Sequence, residues 1–183
     1  MKKAILIALT LVAALAAPLA HAEEPSVNLL ITGGAEQNVL DVKLSLDGRE
    51  YVIDSMAPLE VGGAICTHPE AVENRLLCPA TVIAGFEINV GGGNDSAIIS
   101  PKISIPVTLR GGPGDDRLYG GGASDKLVGG PGEDTLIGRA GNDALYGGPG
   151  DDRLTGGSGD DLLHGGPGND EIVGGSGTNA IVQ

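Results

Sequence analysis

Residues 111–182 consist of eight consecutive nine-residue units, which are GGPGDDRLY, GGGASDKLV, GGPGEDTLI, GRAGNDALY, GGPGDDRLT, GGSGDDLLH, GGPGNDEIV and GGSGTNAIV. The first, second and fourth positions are mostly glycine, the sixth is Asp or finally Asn, and the eighth is Leu or Ile. No insertion breaks the period. A fixed period of this kind predicts a solenoid in which each unit packs against its neighbours.

Each unit divides into a turn and a strand. Glycines in the first six residues permit positive φ and let backbone carbonyls point inward, and the Asp at the sixth position adds a charged oxygen. Carbonyls and carboxylates are the ligands that Ca²⁺ prefers, at six to eight oxygens per ion. The last three residues predict a short strand with its apolar centre inside and its neighbours outside.

Two units should close one coil, so that units two apart stack on the same side. The sequence shows the corresponding 18-residue period, because only odd units have Pro at the third position, at Pro113, Pro131, Pro149 and Pro167. We call the turns of odd units edge one and those of even units edge two. The candidate ligands on edge one are the side chains of Asp116, Asp134, Asp152 and Asp170 and the backbone of Gly111, Gly114, Gly129, Gly132, Gly147, Gly150, Gly165 and Gly168.

Edge two is less regular. Its candidate ligands are Asp125, Asp143, Asp161 and Asn179. Ala123 replaces a turn glycine, Asn179 replaces an Asp, and Arg139 stands at a usual glycine position. With ions between stacked turns we expect roughly three Ca²⁺ per edge, with the sites at Asp125 and Asn179 the least regular.

The units match the pattern G-G-x-G-x-D-x-U-x and resemble the RTX, or hemolysin-type, calcium-binding repeat. The resemblance implies an all-β, right-handed parallel β-roll whose turns hold calcium. RTX proteins usually carry an uncleaved C-terminal export signal after the repeats, whereas the repeats here end at Val182, one residue before the end of the sequence. The chain is thus more similar to small secreted calcium-binding proteins with an N-terminal signal, a short β region containing two cysteines and a terminal repeat block.

The amount of apolar material is small for a chain of this length. Glycine makes up 32 of 183 residues, and there are one Phe, three Tyr and no Trp. The repeats contribute one aliphatic side chain per unit, and their stacked carboxylates repel one another. We therefore expect folding of the repeats to be coupled to calcium binding.

The N-terminus predicts a cleaved secretory signal over residues 1–22. Lys2 and Lys3 precede an apolar stretch at 4–17, Pro18 follows, and Ala20-His21-Ala22 is an A-x-A cleavage site. The apolar stretch is shorter than the ~20 residues of a membrane span. We expect a secreted, extracellular protein, with the periplasm as an alternative. In an oxidising compartment, Cys66 and Cys78 predict one disulfide rather than a metal site.

Residues 23–90 predict a small β region with that disulfide loop. Leu40, Val42, Leu44 and Leu46 alternate with polar residues before an Asp47-Gly48 hairpin turn. A second alternating set with its side chains inward comprises Val82, Ala84, Phe86, Ile88 and Val90. Residues 91–110 predict an irregular capping coil in which Gly91-Gly92-Gly93-Asn94-Asp95 resembles a degenerate repeat turn, so Asp95 is either an extra calcium ligand or a simple turn aspartate.

The sequence predicts a structural protein rather than an enzyme. Past the signal only His68 and His164 are present, and neither H-E-x-x-H nor G-x-S-x-G occurs. The formal net charge of −13 argues against binding nucleic acid or anionic membrane surfaces. The expected role is a calcium-binding structural, surface or adhesion module, and the alternative is an accessory or truncated part of a secreted RTX protease, lipase or epimerase. Calcium-dependent self-association through an open end of the roll is a further expectation.

Overall fold

The computed structural model describes residues 27–32, 34–35, 37–46, 48–55, 75–80 and 83–183. These residues form strands and turns, with no helix among them. The strands are β1 (Val27–Thr32), β2 (Val39–Leu44), β3 (Glu50–Ser55), β4 (Arg75–Pro79), β5 (Ile83–Asn89), β6 (Ser96–Ile99), β7 (Val107–Arg110), β8 (Arg117–Tyr119), β9 (Lys126–Val128), β10 (Thr135–Ala140), β11 (Ala144–Tyr146), β12 (Arg153–Ser158), β13 (Leu162–His164), β14 (Glu171–Ser176) and β15 (Ala180–Val182).

Two sheets enclose the core. The first has the order β1-β5-β7-β9-β11-β13-β15 and the second β14-β12-β10-β8-β6-β2-β3-β4. Every pair in the first sheet is parallel, and so is every pair in the second from β14 to β2. The chain alternates between the sheets from β5 onward, so the predicted all-β parallel roll is confirmed.

The nine-residue period sets the register of the strands. Leu118, Leu136 and Leu154 are directly paired along the second sheet. Leu127, Leu145 and Leu163 are paired in the same way along the first. All six are essentially inaccessible to solvent, because only the central residue of each short strand points between the sheets. The last two members of the series, Ile172 and Ile181, are partly buried and half exposed, respectively.

The roll begins well before the repeats. β1 pairs in parallel with β5, and β2 with β6, so the predicted small β region and capping coil belong to the same two sheets as residues 111–182. β2 and β3 are antiparallel with Gly48 of the predicted turn between them, and β4 extends the second sheet beyond them. This short antiparallel extension is the part of the N-terminal region that does not follow the roll.

Two predicted inward positions are wrong. Leu46 is fully exposed, because β2 ends at Leu44 and Leu46 lies in the turn. Ala84 is also exposed, and Ile83 is buried instead. The β1–β5 register shifts between Val27 and Asn28, whose partners are Ile83 and Gly85, so Ala84 is an extra residue that inverts the alternation.

Several predictions lie wholly or partly outside the described residues, namely the signal segment 1–22, Asp47 of the hairpin turn, Cys66, His68 and Val82. Cys78 is described; it is fully buried on β4 and is not a free thiol, while its pairing with Cys66 stays a prediction. No helix in the described part of the chain has the length and apolar character needed to cross a membrane.

Candidate calcium sites on the two edges of the roll

The sixth-position carboxylates form a hydrogen-bonded ladder on each edge. The Oδ1 atom of each accepts a hydrogen bond from the backbone N–H of the matching residue one coil earlier. On edge one Asp95 donates to Asp116, and Asp116 to Asp134, both at 2.8 Å. On edge two Asp125 donates to Asp143 at 2.8 Å. One oxygen of each carboxylate therefore holds successive coils in register.

The second oxygen of most of these carboxylates has no hydrogen-bond partner. The unpaired buried Oδ2 atoms belong to Asp95, Asp116, Asp134, Asp143, Asp152 and Asp161. Each of these side chains is at most 2% exposed. Burial of an unpaired charged oxygen is costly, and a bound cation is the usual compensation.

The first glycine of each regular unit leaves a space beside that oxygen. A methyl group at Gly111 would lie 2.7 Å from the Gly129 carbonyl oxygen and would collide with Asp116 Oδ2. Gly129 has the same relation to Asp134, and Gly147 to Asp152. On edge two Gly138 and Gly156 stand in this way beside Asp143 and Asp161.

The oxygens around each space suit a hard cation. They are one carboxylate oxygen and the backbone carbonyl of the next coil, which are Ca²⁺ ligands rather than zinc ligands. Within the described residues no three His, Cys, Asp or Glu side chains converge. The predicted glycine ligands would contribute backbone carbonyls to such a site, and that assignment stays a prediction.

The fourth-position glycines have the backbone that the turn needs. Gly114, Gly132, Gly150 and Gly168 have φ of 133°, 145°, 145° and 157°. A side chain at Gly132 would strike the carbonyl of Gly114 in the preceding coil. These glycines are therefore required by both conformation and close stacking.

Burial acts strongly on the carboxyl groups. It raises the pKa of Asp116, Asp125 and Asp152 to about 6. It raises the pKa of Asp134 and Asp143 to about 7, and neighbouring Asp charges on the same ladder add to the rise. The ladders thus resist carrying their full negative charge unless a cation accompanies it.

Asp95 shares the ladder geometry although it precedes the repeats. Gly91 and Gly93 have the positive φ of repeat turns, at 106° and 117°. Asp95 Oδ1 accepts the N–H of Asn38 at 2.5 Å, and its Oδ2 is unpaired. The first position of this turn is Val90 instead of glycine, so a side chain stands where the repeats leave space. Asp95 stays a predicted ligand.

The ladders change at their ends. Asp170 is only partly buried, although its Oδ1 still accepts the N–H of Asp152 at 3.1 Å. Asn179 Oδ1 accepts the N–H of Asp161 at 2.9 Å, which preserves the ladder. Its Nδ2 donates to the Gly175 carbonyl, and a methyl group at Gly174 would lie 2.6 Å from that nitrogen. An amide nitrogen is a donor and cannot ligate a cation.

Sequence reasoning missed two participants. Asn38 is the N-terminal member of the edge-one ladder, 57 residues before Asp95, and no repeat pattern marks it. Arg139 reaches back toward the start of edge two, where its Nη1 donates to the Gly120 carbonyl at 2.6 Å and to the Ile99 carbonyl. The sequence shows that Arg139 stands at a glycine position, but it does not show where the side chain points.

A parallel roll with a row of half-satisfied buried carboxylates along each edge defines a cation-binding solenoid. The family model that describes four copies of the RTX calcium-binding nonapeptide repeat matches residues 108–136, 120–154 and 146–181. Residues 108–181 therefore contain RTX-type calcium-binding repeats, and they form a parallel β-solenoid. No curated protein and no solved structure matches the chain significantly.

Proposed function

We propose that this protein is exported and that its repeats fold into a rigid roll when they meet extracellular calcium. The observation that carries the proposal is the set of unpaired buried Oδ2 atoms. Without a cation, these groups must be either desolvated as anions or protonated, and both states oppose the roll near neutral pH. Calcium supplies the missing partner and the neutralising charge together.

Five repeat turns combine an unpaired Oδ2 with a carbonyl of the following coil. They are the turns of Asp116, Asp134, Asp152, Asp143 and Asp161. This distribution gives three sites on edge one and two on edge two, against the roughly three per edge expected from the sequence. In each, the carboxylate oxygen and neighbouring carbonyls would hold the ion, and the ion would cross-link two successive coils.

Export explains how such a fold is controlled. Extracellular calcium modules bind with Kd near 10⁻⁴–10⁻³ M, so sites of that class are empty in a calcium-poor cell interior and filled outside. The predicted signal at residues 1–22 supports this route. The chain would then cross the membrane unfolded and acquire its structure after release.

The proposed role is structural, in a surface, matrix or adhesion setting, and non-catalytic. His164 is exposed on the outer face of β13, where its ring centroid lies 6.4 Å from that of Tyr146. The functional groups in the interior are the turn carboxylates, and the calcium-binding role already uses them. The outer faces of the two sheets are the surfaces available to a partner.

The test of folding is a calcium titration of the chain from residue 23 onward, followed by far-ultraviolet circular dichroism. The expected result is a cooperative gain of β signal with calcium, and no comparable gain with an equal concentration of magnesium, which requires a tighter octahedral shell. A spectrum that is unchanged by calcium would contradict calcium-coupled folding.

The test of export is separate. Expression of the whole chain in a Gram-negative host should give protein outside the cytoplasm whose mass corresponds to a start at Glu23. Protein that retains Met1 and stays in the cytoplasm would rule out the proposed route without affecting the calcium sites.

A further inference from the structure

One turn on edge two departs from all the regular ones. Residues 120–125 form the turn before β9, and none of Gly121, Gly122 and Ala123 has positive φ, unlike the glycines of the regular turns. With this backbone, the Gly121 N–H donates to Asp125 Oδ2 at 2.6 Å. Asp125 is buried like its neighbours, but its second oxygen is already paired.

The next turn on the same edge contains an unusual arginine. Arg139 has φ of 80°, and it is the one non-glycine residue with positive φ in the described part of the chain. It occupies a position that pairs with Gly157 in the following coil, where glycine meets no steric cost. A side chain at this position is unfavourable for the backbone, so a compensating interaction is expected.

The guanidinium group supplies that interaction. Nη1 donates to the carbonyls of Ile99, the last residue of β6, and Gly120, which follows the paired strand β8. The guanidinium carbon also lies 5.6 Å from the ring centroid of Tyr119. A positive charge thus reaches backbone carbonyls from two coils, the same class of oxygen that faces the carboxylates in regular turns.

The carboxylate and the arginine also interact electrically. The positive charge of Arg139 opposes the rise in the pKa of Asp125 that burial causes, and the N–H groups of Gly121 and Val107 act in the same direction. By contrast, the charged groups that act on Asp134 and Asp143 are other carboxylates, and these raise the pKa further. Of these three turns, only the Asp125 turn obtains from the chain itself both hydrogen bonds to the two carboxylate oxygens and a nearby positive charge.

We propose that Arg139 is a built-in cation that takes the place of calcium in the first repeat turn of edge two. This inference rests on the proposed function, because it assumes that the regular turns bind calcium. The turn of Asp125 then closes without an ion, directly beside the coils that precede the repeats. It provides a calcium-independent end against which the calcium-filled turns can stack.

The first test counts bound calcium in matched variants by equilibrium dialysis at saturating calcium. Asp143→Asn should lower the count by one relative to the unaltered chain, whereas Asp125→Asn should leave it unchanged. Both variants retain Oδ1 as the ladder acceptor, and circular dichroism verifies that each is folded. A loss of one ion in Asp125→Asn would overturn the proposal. An unaltered chain that binds no calcium would instead refute the proposed function.

The second test does not count ions. In calcium-saturated protein, where the repeats are folded, Arg139→Gln should speed hydrogen exchange at the amides of Gly120 and Gly121 by about tenfold or more, because their turn loses its cation. Arg117→Gln is the matched control, since Arg117 is exposed on β8 and the charge change is the same. Equal exchange in both variants would overturn the proposal, whatever the outcome of the ion count.

Discussion

The first coils and the last coils of this roll share the same two sheets but have different interiors. In the N-terminal part, β2, β3 and β5 are six or seven residues long and bring several large side chains into the core. Tyr51 and Phe86 pack edge to face with ring centroids 5.1 Å apart, and Ile53 and Ile88 are fully buried. In the repeats, each strand contributes one Leu or Ile to the interior, and the sixth position of every turn but the last contributes a carboxylate.

The difference shows that one fold can be stabilised from two sources. We expect the N-terminal coils to depend less on ions, since burial of each large aliphatic or aromatic side chain contributes about 1.5–3 kcal/mol. The repeats have regular register but little apolar area, and the proposed function gives them ions between their turns as the second source. The N-terminal coils thus provide a template on which the repeats can stack.

The largest expected effect is the response to calcium withdrawal. Hydrogen exchange in calcium-free protein should show protection lost throughout residues 126–182 but retained in β2, β5 and β6, because only the former depend on ions. Restoring calcium should return protection to the repeats. Uniform loss of protection across both regions would show that the N-terminal coils depend on the repeats.

Mild acid should act on the same boundary, with a smaller effect than calcium. The carboxyls of Asp116, Asp134 and Asp143 have their pKa raised from 3.8 to about 6 or 7 by burial in the folded chain. Such groups favour the folded state below their unfolded pKa, and this contribution is lost as pH rises through 6–7. Calcium-free protein should therefore gain β signal in the repeats as pH falls from about 8 to about 5.

The control for this pH response is a matched pair of Asp→Asn variants. Asp134→Asn removes one buried titrating group and should reduce the pH dependence of the β signal. Asp151→Asn, at an exposed turn position, should leave it nearly unchanged. Because protons and calcium compete for the same oxygens, calcium affinity should also fall as pH drops below about 7. A β signal that increases with pH in the absence of calcium would contradict the assignment.

The next effect concerns the thin apolar core of the repeats. Leu145→Ala in the calcium-loaded protein should cost about 2–5 kcal/mol in the free energy of unfolding, since the side chain is fully buried between the sheets. Ile181→Ala occupies the equivalent position in the last unit, where the side chain is 50% exposed, and should cost much less. Chemical denaturation of both variants measures the difference. Equal losses would mean that the C-terminal end is covered in solution, as calcium-dependent self-association predicts.

The sequence predicted the regular part of the roll better than its ends, for a physical reason. In residues 111–182 every coil has the same length, so the period alone places Leu118 over Leu136 and Asp116 over Asp134. Asn38 and Asp95 are 57 residues apart, and the antiparallel strands β3 and β4 lie between them in the sequence. A local sequence pattern therefore cannot reveal their hydrogen bond. The exposed Ala84 likewise depends on a bulge created by pairing with β1.

The candidate calcium sites show the same contrast between regular and irregular parts of the roll. The stacking of the regular turns was predictable because the spacing determines which oxygens meet, while their role as calcium ligands stays a prediction. The altered turn at Asp125 was recognisable from Ala123, but its replacement hydrogen bond from Gly121 and the reach of Arg139 required the folded backbone. Departures from the repeat pattern therefore indicate which turns are altered, while the structure of an altered turn depends on contacts between coils.

The smallest effect should come from the surface pair on the outer face of the repeats. Arg153 Nε lies 3.5 Å from Glu171 Oε2 across β12 and β14, with the side chains 65% and 72% exposed. Solvent screens such a pair, so Glu171→Gln should change the unfolding free energy by at most about 1 kcal/mol, and less at high salt. Denaturation at low and high ionic strength, with Glu133→Gln as the exposed turn control, measures this contribution. A loss as large as that of Leu145→Ala would mean that the outer faces, and not only the core and the ions, hold the repeats together.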